Sequence, residues 1–282
     1  MESKKSLRER DASFLIDDAI YREIDEIKER KMATATQETK EESTFQLAGY
    51  RKKLKAGMPT DGIIILIGLP KSGKSLTVAS IPNSILLELE RGGADRIDGR
   101  IQEIANLGQF RQALKAAVAA KDIKVIGIDS LDVISDWLED EVAAGAGLSK
   151  ITEKKAGVDG WGLWAEVKSK WELLTAYMRV SGKLFVLIAH TKEPRLDGSG
   201  TVVIPAGLNV SGKGASFLAA QADAIGNVFK KQVGAVTKYF VSFQGGPLGI
   251  FGSRVSELED KTIELPKTNQ WKAIEEAAKS SK

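Results

Sequence analysis

The run Gly68-Leu69-Pro70-Lys71-Ser72-Gly73-Lys74-Ser75 constrains this chain more than any other stretch of its 282 residues. It fits G-x-x-x-x-G-K-[ST], a phosphate-binding loop, and it stands in the setting such a loop needs. The apolar run Ile63-Ile64-Ile65-Leu66-Ile67 precedes it and predicts a buried strand; a helical pattern from Lys74 to Ala79 follows. Gly68 and Gly73 let the backbone curl so that successive N–H groups converge on an anion. The helix start adds its dipole. In this setting Lys74 neutralises the β- and γ-phosphates of ATP and the Ser75 hydroxyl ligates Mg²⁺. Leu69, Pro70, Lys71, Ser72 and Leu76 complete the nucleotide-binding stretch. The competing explanation is a Gly/Ser-rich turn that fits the pattern by chance.

From Asp61 onward, β-branched runs alternate with helical patterns. The spacing predicts strands at Ile63–Ile67, Ile85–Leu89, Ile123–Ile128, Leu184–Ala189, Ala224–Phe229 and Tyr239–Phe243. It predicts helices at Phe110–Ala120, Leu131–Ala143, Trp161–Val180 and Ser216–Ala222. Such alternation implies an α/β fold whose mostly parallel sheet is covered by helices on both faces. Three parts are expected. Residues 1–57 form a charged helical extension and linker, with Phe14, Ile16, Ile20, Ile24 and Ile27 on an amphipathic helix. Residues 58–265 form the core, and residues 266–282 a C-terminal helix or tail.

Composition narrows the setting. There is no cysteine, so disulfides and thiolate metal sites are excluded. The single histidine, His190, leaves little scope for a zinc centre. No apolar run reaches the ~18 residues of a membrane span, and the charged start MESKKSLRERD lacks the apolar core of an export signal. The expectation is a cytoplasmic protein with no membrane partner. A net charge of +3 means that any nucleic-acid contact must come from local basic loops.

In parallel sheets ligands bind past the carboxyl ends of the strands, so the polar residues just beyond each apolar run matter most. Asp129 ends Val125-Ile126-Gly127-Ile128 and is the expected acid for the Mg²⁺ shell, the alternative being an N-cap for the next helix. The following residue is Ser130, where many P-loop ATPases carry a water-activating glutamate. Glu90, just past Ile85-Leu86-Leu87-Glu88-Leu89, is the expected base in its place. It is preferred to Glu88, which lies inside the strand, and the alternative is a solvated surface acid. His190 closes Leu184-Phe185-Val186-Leu187-Ile188-Ala189 and can sense the γ-phosphate; otherwise it is a histidine satisfied by backbone.

Taken in order, the loop Gly68–Ser75, Glu90 in Leu89-Glu90-Arg91-Gly92-Gly93, the pair Asp129-Ser130 and the polar end of the fourth strand resemble the RecA core. Ile188-Ala189-His190-Thr191-Lys192-Glu193 is similar to the matching segment of the bacterial RadA branch. The P-loop with Leu89–Gly93 resembles the short phage-encoded RecA-like proteins that anneal single strands in recombination. The resemblance spans about Asp61 to Arg254, and it departs from RecA at His190, where RecA-type recombinases carry glutamine.

The resemblance implies two loops that bind single-stranded DNA, at about Gly145–Gly160 and Lys192–Gly214. Lys150, Lys154, Lys155, Lys192, Arg195 and Lys213 would meet phosphates there, unless they are ordinary solvated charges. Trp161 and Trp164 flank the first loop, as base-stacking residues or as helix core. The resemblance also implies a basic residue that reaches a neighbour's ATP. Arg254 is the candidate, with Lys230 and Lys231 behind it, and a surface arginine is the alternative. Phe45-Gln46-Leu47-Ala48 fits the F-x-x-A pattern by which eukaryotic and archaeal relatives dock on the next subunit, or else belongs to an intramolecular helix.

The expected function is that of a Mg·ATP-dependent, RecA-fold ATPase that assembles into a ring or filament, binds single-stranded DNA and promotes annealing or recombination, for a phage. A single-strand-binding protein is an expected partner. The rival expectations are a helicase-type or helicase-loading motor, and a nucleotide-gated interaction protein that does not touch DNA.

Overall fold

A computed structural model describes residues 22, 24–26, 57–193, 195–196, 198, 202–204, 206–246 and 249–279, the side chains of 195, 196 and 202–204 excepted. The chain divides into two compact units, Met1–Ala56 and Gly57–Lys282. Of the first, residues 22 and 24–26 are helical; the Phe45/Ala48 segment lies outside the described residues.

The second unit is built on six parallel strands. These are β1 (Gly62–Gly68), β2 (Ser84–Glu88), β3 (Ile101–Glu103), β4 (Val125–Asp129), β5 (Leu184–Lys192) and, later in the chain, β9 (Ala224–Val233). They lie in the order β9-β1-β5-β4-β2-β3. Antiparallel β10 (Val236–Ser242) and β12 (Thr262–Leu265) extend the β9 edge, and β8 (Gly207–Leu208) and β11 (Gly252–Ser253) pair onto β5 and β9. β6 (Arg195–Leu196) and β7 (Val202–Ile204) make a separate two-stranded ribbon. This is the mostly parallel α/β arrangement that the sequence pattern implies. All seven residues of β1 are buried, as a strand covered on both faces requires.

Alternation along the strands divides the core in two. Ile64, Leu66, Leu86, Val186 and Ile188 join a cluster with Val78 of α1 (Lys74–Ala79) and with Trp271 and Ile274 of α6 (Gln270–Lys279). A Cβ at Gly127 would stand 2.4 Å from Val78 Cγ1, so the bare backbone of β4 is what lets α1 lie close to the sheet. The other residues, such as Ile63, Ile65, Phe185 and Leu187, are also fully buried, on the face where α3 (Leu131–Gly145) meets β5 and α4 (Gly160–Ser181) meets β1. Glu141 of α3 ties that layer together. It takes Arg111 of α2 (Leu107–Ala119) at 2.7 Å and Lys170 of α4 at 2.9 Å. α5 (Gly214–Gln221) packs on α4.

Local signals account for the helix ends. Asn106 accepts the Gln109 N–H and Asp159 the Trp161 N–H, as N-caps do, and Gly182 ends α4 in the left-handed region. Within the C-terminal segment 266–282, α6 packs on β12 and α1. Thr77 donates to Gln270 Oε1 at 2.7 Å and the Trp271 N–H to Ser80 Oγ at 3.0 Å, so α6 holds the helix that follows the phosphate loop.

Candidate active site

The order β1-β5-β4-β2 gathers the residues that the sequence scatters. Gly68 is level with His190, Asp129 with Ile188, and Glu88 with Asp129, so the P-loop, His190, Asp129 and the segment carrying Glu90 all leave the sheet at its carboxyl edge.

The loop itself is tightly constrained. Gly73 caps α1 with φ 106°, a conformation that only glycine adopts without strain. A Cβ at Gly68 would come within 2.2 Å of the Val228 carbonyl oxygen. Lys71 also has positive φ, at 63°. The Lys74 ammonium is buried and donates to the carbonyl oxygens of Gly68 (2.9 Å) and Leu69 (3.0 Å). Burial lowers its pKa from the ordinary lysine value, against the charges of Asp129, Glu90 and Asp132, which raise it. Ser72 Oγ is buried with no protein partner, while Leu69 is 60% exposed.

Ser75 donates its hydroxyl hydrogen to Asp129 Oδ2 at 2.5 Å. The Asp129 carboxyl is buried, which raises its pKa; the Ser75 hydroxyl opposes that rise, Glu90 adds to it, and Lys74 and His190 oppose it in turn. A hydroxyl and a buried carboxylate converging on one point are hard oxygen donors, and with the buried Lys74 they fit a magnesium–phosphate ligand. Asp129 is therefore not the helix cap; Ser130 occupies that position, without a side-chain cap bond. The Asp129–Ser130 peptide is cis.

Ser130 instead donates to Glu90 Oε1 at 2.5 Å. Glu88 is committed elsewhere: 4% exposed, it accepts the Ala94 N–H at 2.6 Å and folds the Glu90–Gly93 turn back on the strand. The Glu90 side chain keeps 38% exposure, which suits a group that must meet water. His190 Nδ1 stands 3.7 Å from Glu90 Oε1 and 3.5 Å from Asp132 Oδ2, and the His190 backbone N–H donates to that same Oδ2 at 3.0 Å. Sequence reasoning missed Asp132. Its signal was the pattern Asp129-Ser130-Leu131-Asp132, which puts a second acid in the first turn of the helix after the strand, facing the same edge.

Arg254 is not brought to its own chain's site. It lies level with Ile63, at the amino end of β1, and donates to the Ala220 carbonyl oxygen at 2.6 Å. Lys230 is nearer, on the carboxyl side of β9, 5.2 Å from the centre of the Tyr239 ring; that ring lies 3.1 Å from where a Gly73 Cβ would stand. Lys231 is exposed beside it.

The first lysine loop is folded on itself. Leu148 and Ile151 are buried, Lys155 donates to the Gly147 carbonyl oxygen at 3.2 Å, and Lys150 and Lys154 are exposed. Trp161 is 85% exposed, which removes it from the helix core, whereas Trp164 lies against Gly212. The second loop is more ordered than a plain loop. β5 runs on to Lys192, pairs with β8, and the β6–β7 ribbon follows, because Thr191 and Val202-Val203-Ile204 are β-formers. Lys192 and Lys213 are exposed; the Arg195 side chain lies outside the described residues. Among the described residues no helix is long and apolar enough to cross a membrane.

Residues 61–255 match the protein family described as the AAA domain. No curated protein matches the chain. Among solved structures, the chain is similar to a KaiC-like protein from the hyperthermophilic archaeon Pyrococcus horikoshii OT3, with 15% identity, a TM-score of 0.40, and coverage of 74% of this chain and 87% of that one. It is also similar to the flagellar accessory protein FlaH from Methanocaldococcus jannaschii, with 11% identity, a TM-score of 0.37, and coverage of 72% and 84%.

Proposed function

This chain belongs to the AAA domain family and is a P-loop NTPase, and from that premise we propose that it hydrolyses ATP and uses the nucleotide to control binding of single-stranded DNA in annealing or recombination. The observation that carries the ATPase reading is the meeting of four strand ends, which sets Lys74, Ser75, Asp129, Glu90 and His190 along one sheet edge. Lys74 would neutralise the phosphates, and Glu90, positioned by Ser130, would take a proton from the attacking water. Mg²⁺, held through Ser75 and Asp129, would supply charge neutralisation at the phosphates.

DNA binding is supported by the surface beside that edge. Trp161 is the most exposed large aromatic among the described residues, at the end of a loop with two exposed lysines, Lys150 and Lys154. Trp164, one helical turn on, touches Gly212 of the second loop, so the two basic segments flank one patch with Lys213. An exposed indole among lysines suits stacked bases and a phosphate backbone. We place the activity in a phage setting, with the chain assembled as a ring or filament in the host cytoplasm, a neighbour's Lys230, Lys231 or Arg254 completing the ATP site, and a single-strand-binding protein as partner.

Fluorescence anisotropy of a labelled oligonucleotide, with ATP, with ADP and without nucleotide across a salt series, tests this reading. Tight, ATP-dependent binding that weakens with salt supports it. No binding in any nucleotide state removes the DNA role and leaves an ATPase that acts on a protein; directional unwinding of a forked duplex would replace annealing with a helicase role.

A further inference from the structure

We infer that Asp132 is a positioning residue that holds the His190 imidazole and so keeps Glu90 available to water. One carboxylate oxygen, Asp132 Oδ2, accepts the His190 backbone N–H at 3.0 Å and lies 3.5 Å from Nδ1 of the same residue. The backbone bond fixes that oxygen in place, and the ring is left with Nδ1 between it and Glu90 Oε1, 3.7 Å away. Two carboxylates at one nitrogen favour a proton there and leave the lone pair on Nε2. The two acids differ in what else they do. Asp132 is the more buried, with a side chain 13% exposed against 38% for Glu90, and its Oδ1 is buried with no protein partner. Its whole polar contact is with His190 among the bonds described. Glu90 also carries the Ser130 hydroxyl.

The consequence follows from competition. While Asp132 holds the ring, Glu90 Oε1 stays 3.7 Å from Nδ1, beyond hydrogen-bond distance, and the carboxylate keeps an oxygen free for water. Without Asp132 one of the two carboxylates that hold the proton at Nδ1 is lost; the part of the population that keeps Nδ1–H turns it to Glu90 alone, which weakens that carboxylate as an acceptor for the water's proton. His190 is level with Gly68, the first residue of the phosphate loop, so the ring's orientation is set where the nucleotide's phosphates would lie. An acid in the first turn of α3 also favours the helix dipole, but that role needs no contact with a histidine. The catalytic consequence rests on the ATPase reading above; the ring orientation does not.

The test exploits the single histidine of the chain, which gives one imidazole signal set. The full-length protein, ¹⁵N-labelled at histidine and free of nucleotide in alkaline buffer, is expected to show the Nδ1–H tautomer. Asp132→Asn and Asp132→Ala are expected to shift the population toward Nε2–H, Ala further than Asn. Single-turnover ATP hydrolysis is expected to fall about tenfold or more, with affinity for a fluorescent ATP analogue within about threefold of wild type. An unchanged imidazole signal in both variants overturns the inference, and so does a shifted signal with unchanged turnover. If Asp132→Ala fails to fold, Asp132→Asn carries both measurements, since its amide oxygen can still accept the His190 N–H. If wild type itself hydrolyses no ATP, the ATPase reading falls and the imidazole spectra alone decide the positioning role.

Discussion

Ser130 hands its hydroxyl hydrogen to Glu90 Oε1 across 2.5 Å, and the contact joins two strand ends 40 residues apart in sequence. On the proposed ATPase reading, the position after Asp129 would serve the hydrolytic water indirectly, with a serine there holding a glutamate brought in by another strand. Glu90→Gln is expected to retain nucleotide binding and to lower turnover about a hundredfold or more. Ser130→Ala removes one hydrogen bond to a charged group and is expected to lower turnover about tenfold, also without loss of binding. Single-turnover hydrolysis beside equilibrium nucleotide binding measures both; wild-type turnover in Glu90→Gln would move the base elsewhere.

Lys74→Ala is expected to abolish nucleotide binding while leaving the fold intact, since the ammonium's two partners, the Gly68 and Leu69 carbonyl oxygens, belong to a loop that can admit water. Calorimetric titration with Mg·ATP checks the first part and circular dichroism the second.

Asp129 gives a pH dependence of defined sign. Burial raises its folded pKa above 3.8, so between those two values the folded state binds more protons than the unfolded state. Stability is therefore lost as pH rises from 3.8 through the raised pKa, and the loss is complete above it. Relative to Asp129→Asn, nucleotide-free wild type should grow less stable across that window and then run parallel. Urea denaturation of both proteins over the acidic range tests this; curves parallel throughout would show that the carboxyl titrates as it does in the unfolded chain.

Trp161→Ala should leave the melting temperature unchanged, because the indole is 85% exposed. The same substitution should weaken single-stranded DNA binding by about 1–3 kcal/mol, the usual worth of one stacked base. Lys150→Ala and Lys154→Ala should each reduce the salt slope by about one if that lysine neutralises one phosphate. Anisotropy titrations at several salt concentrations read both effects.

Trp271→Ala should cost about 3–5 kcal/mol, as removal of a fully buried aromatic does. The effect should reach the nucleotide site, because α6 holds α1 through Gln270–Thr77 and Trp271–Ser80. Denaturant unfolding gives the stability, and a weakened nucleotide affinity in the variant gives the coupling.

The elements around the site were legible because their signals are local. A β-branched run, G-x-x-x-x-G-K-S and a helical pattern each reflect what a few neighbouring residues can do, and β1, Gly68–Ser75 and α1 stand where the pattern put them. Asp129, Glu90 and His190 were legible by one further rule, that polar residues past parallel strands face the ligand edge. The partnerships among them were not. Ser130 with Glu90, Asp132 with His190, and Gln270 with Thr77 depend on which strands lie side by side and on how a helix turns at its start, and hydrogen bonds of a few ångströms carry no trace in residue order. Exposure was likewise decided in three dimensions. Trp161 and Trp164 sit three positions apart on one helix, yet one faces solvent and the other packs on Gly212, because only the assembled second loop says which side of α4 is covered. What the sequence by itself determined was the chemistry available and the strand ends that present it. The tertiary structure alone decided which groups hold each other in place, since that is a matter of distances between residues far apart in the chain.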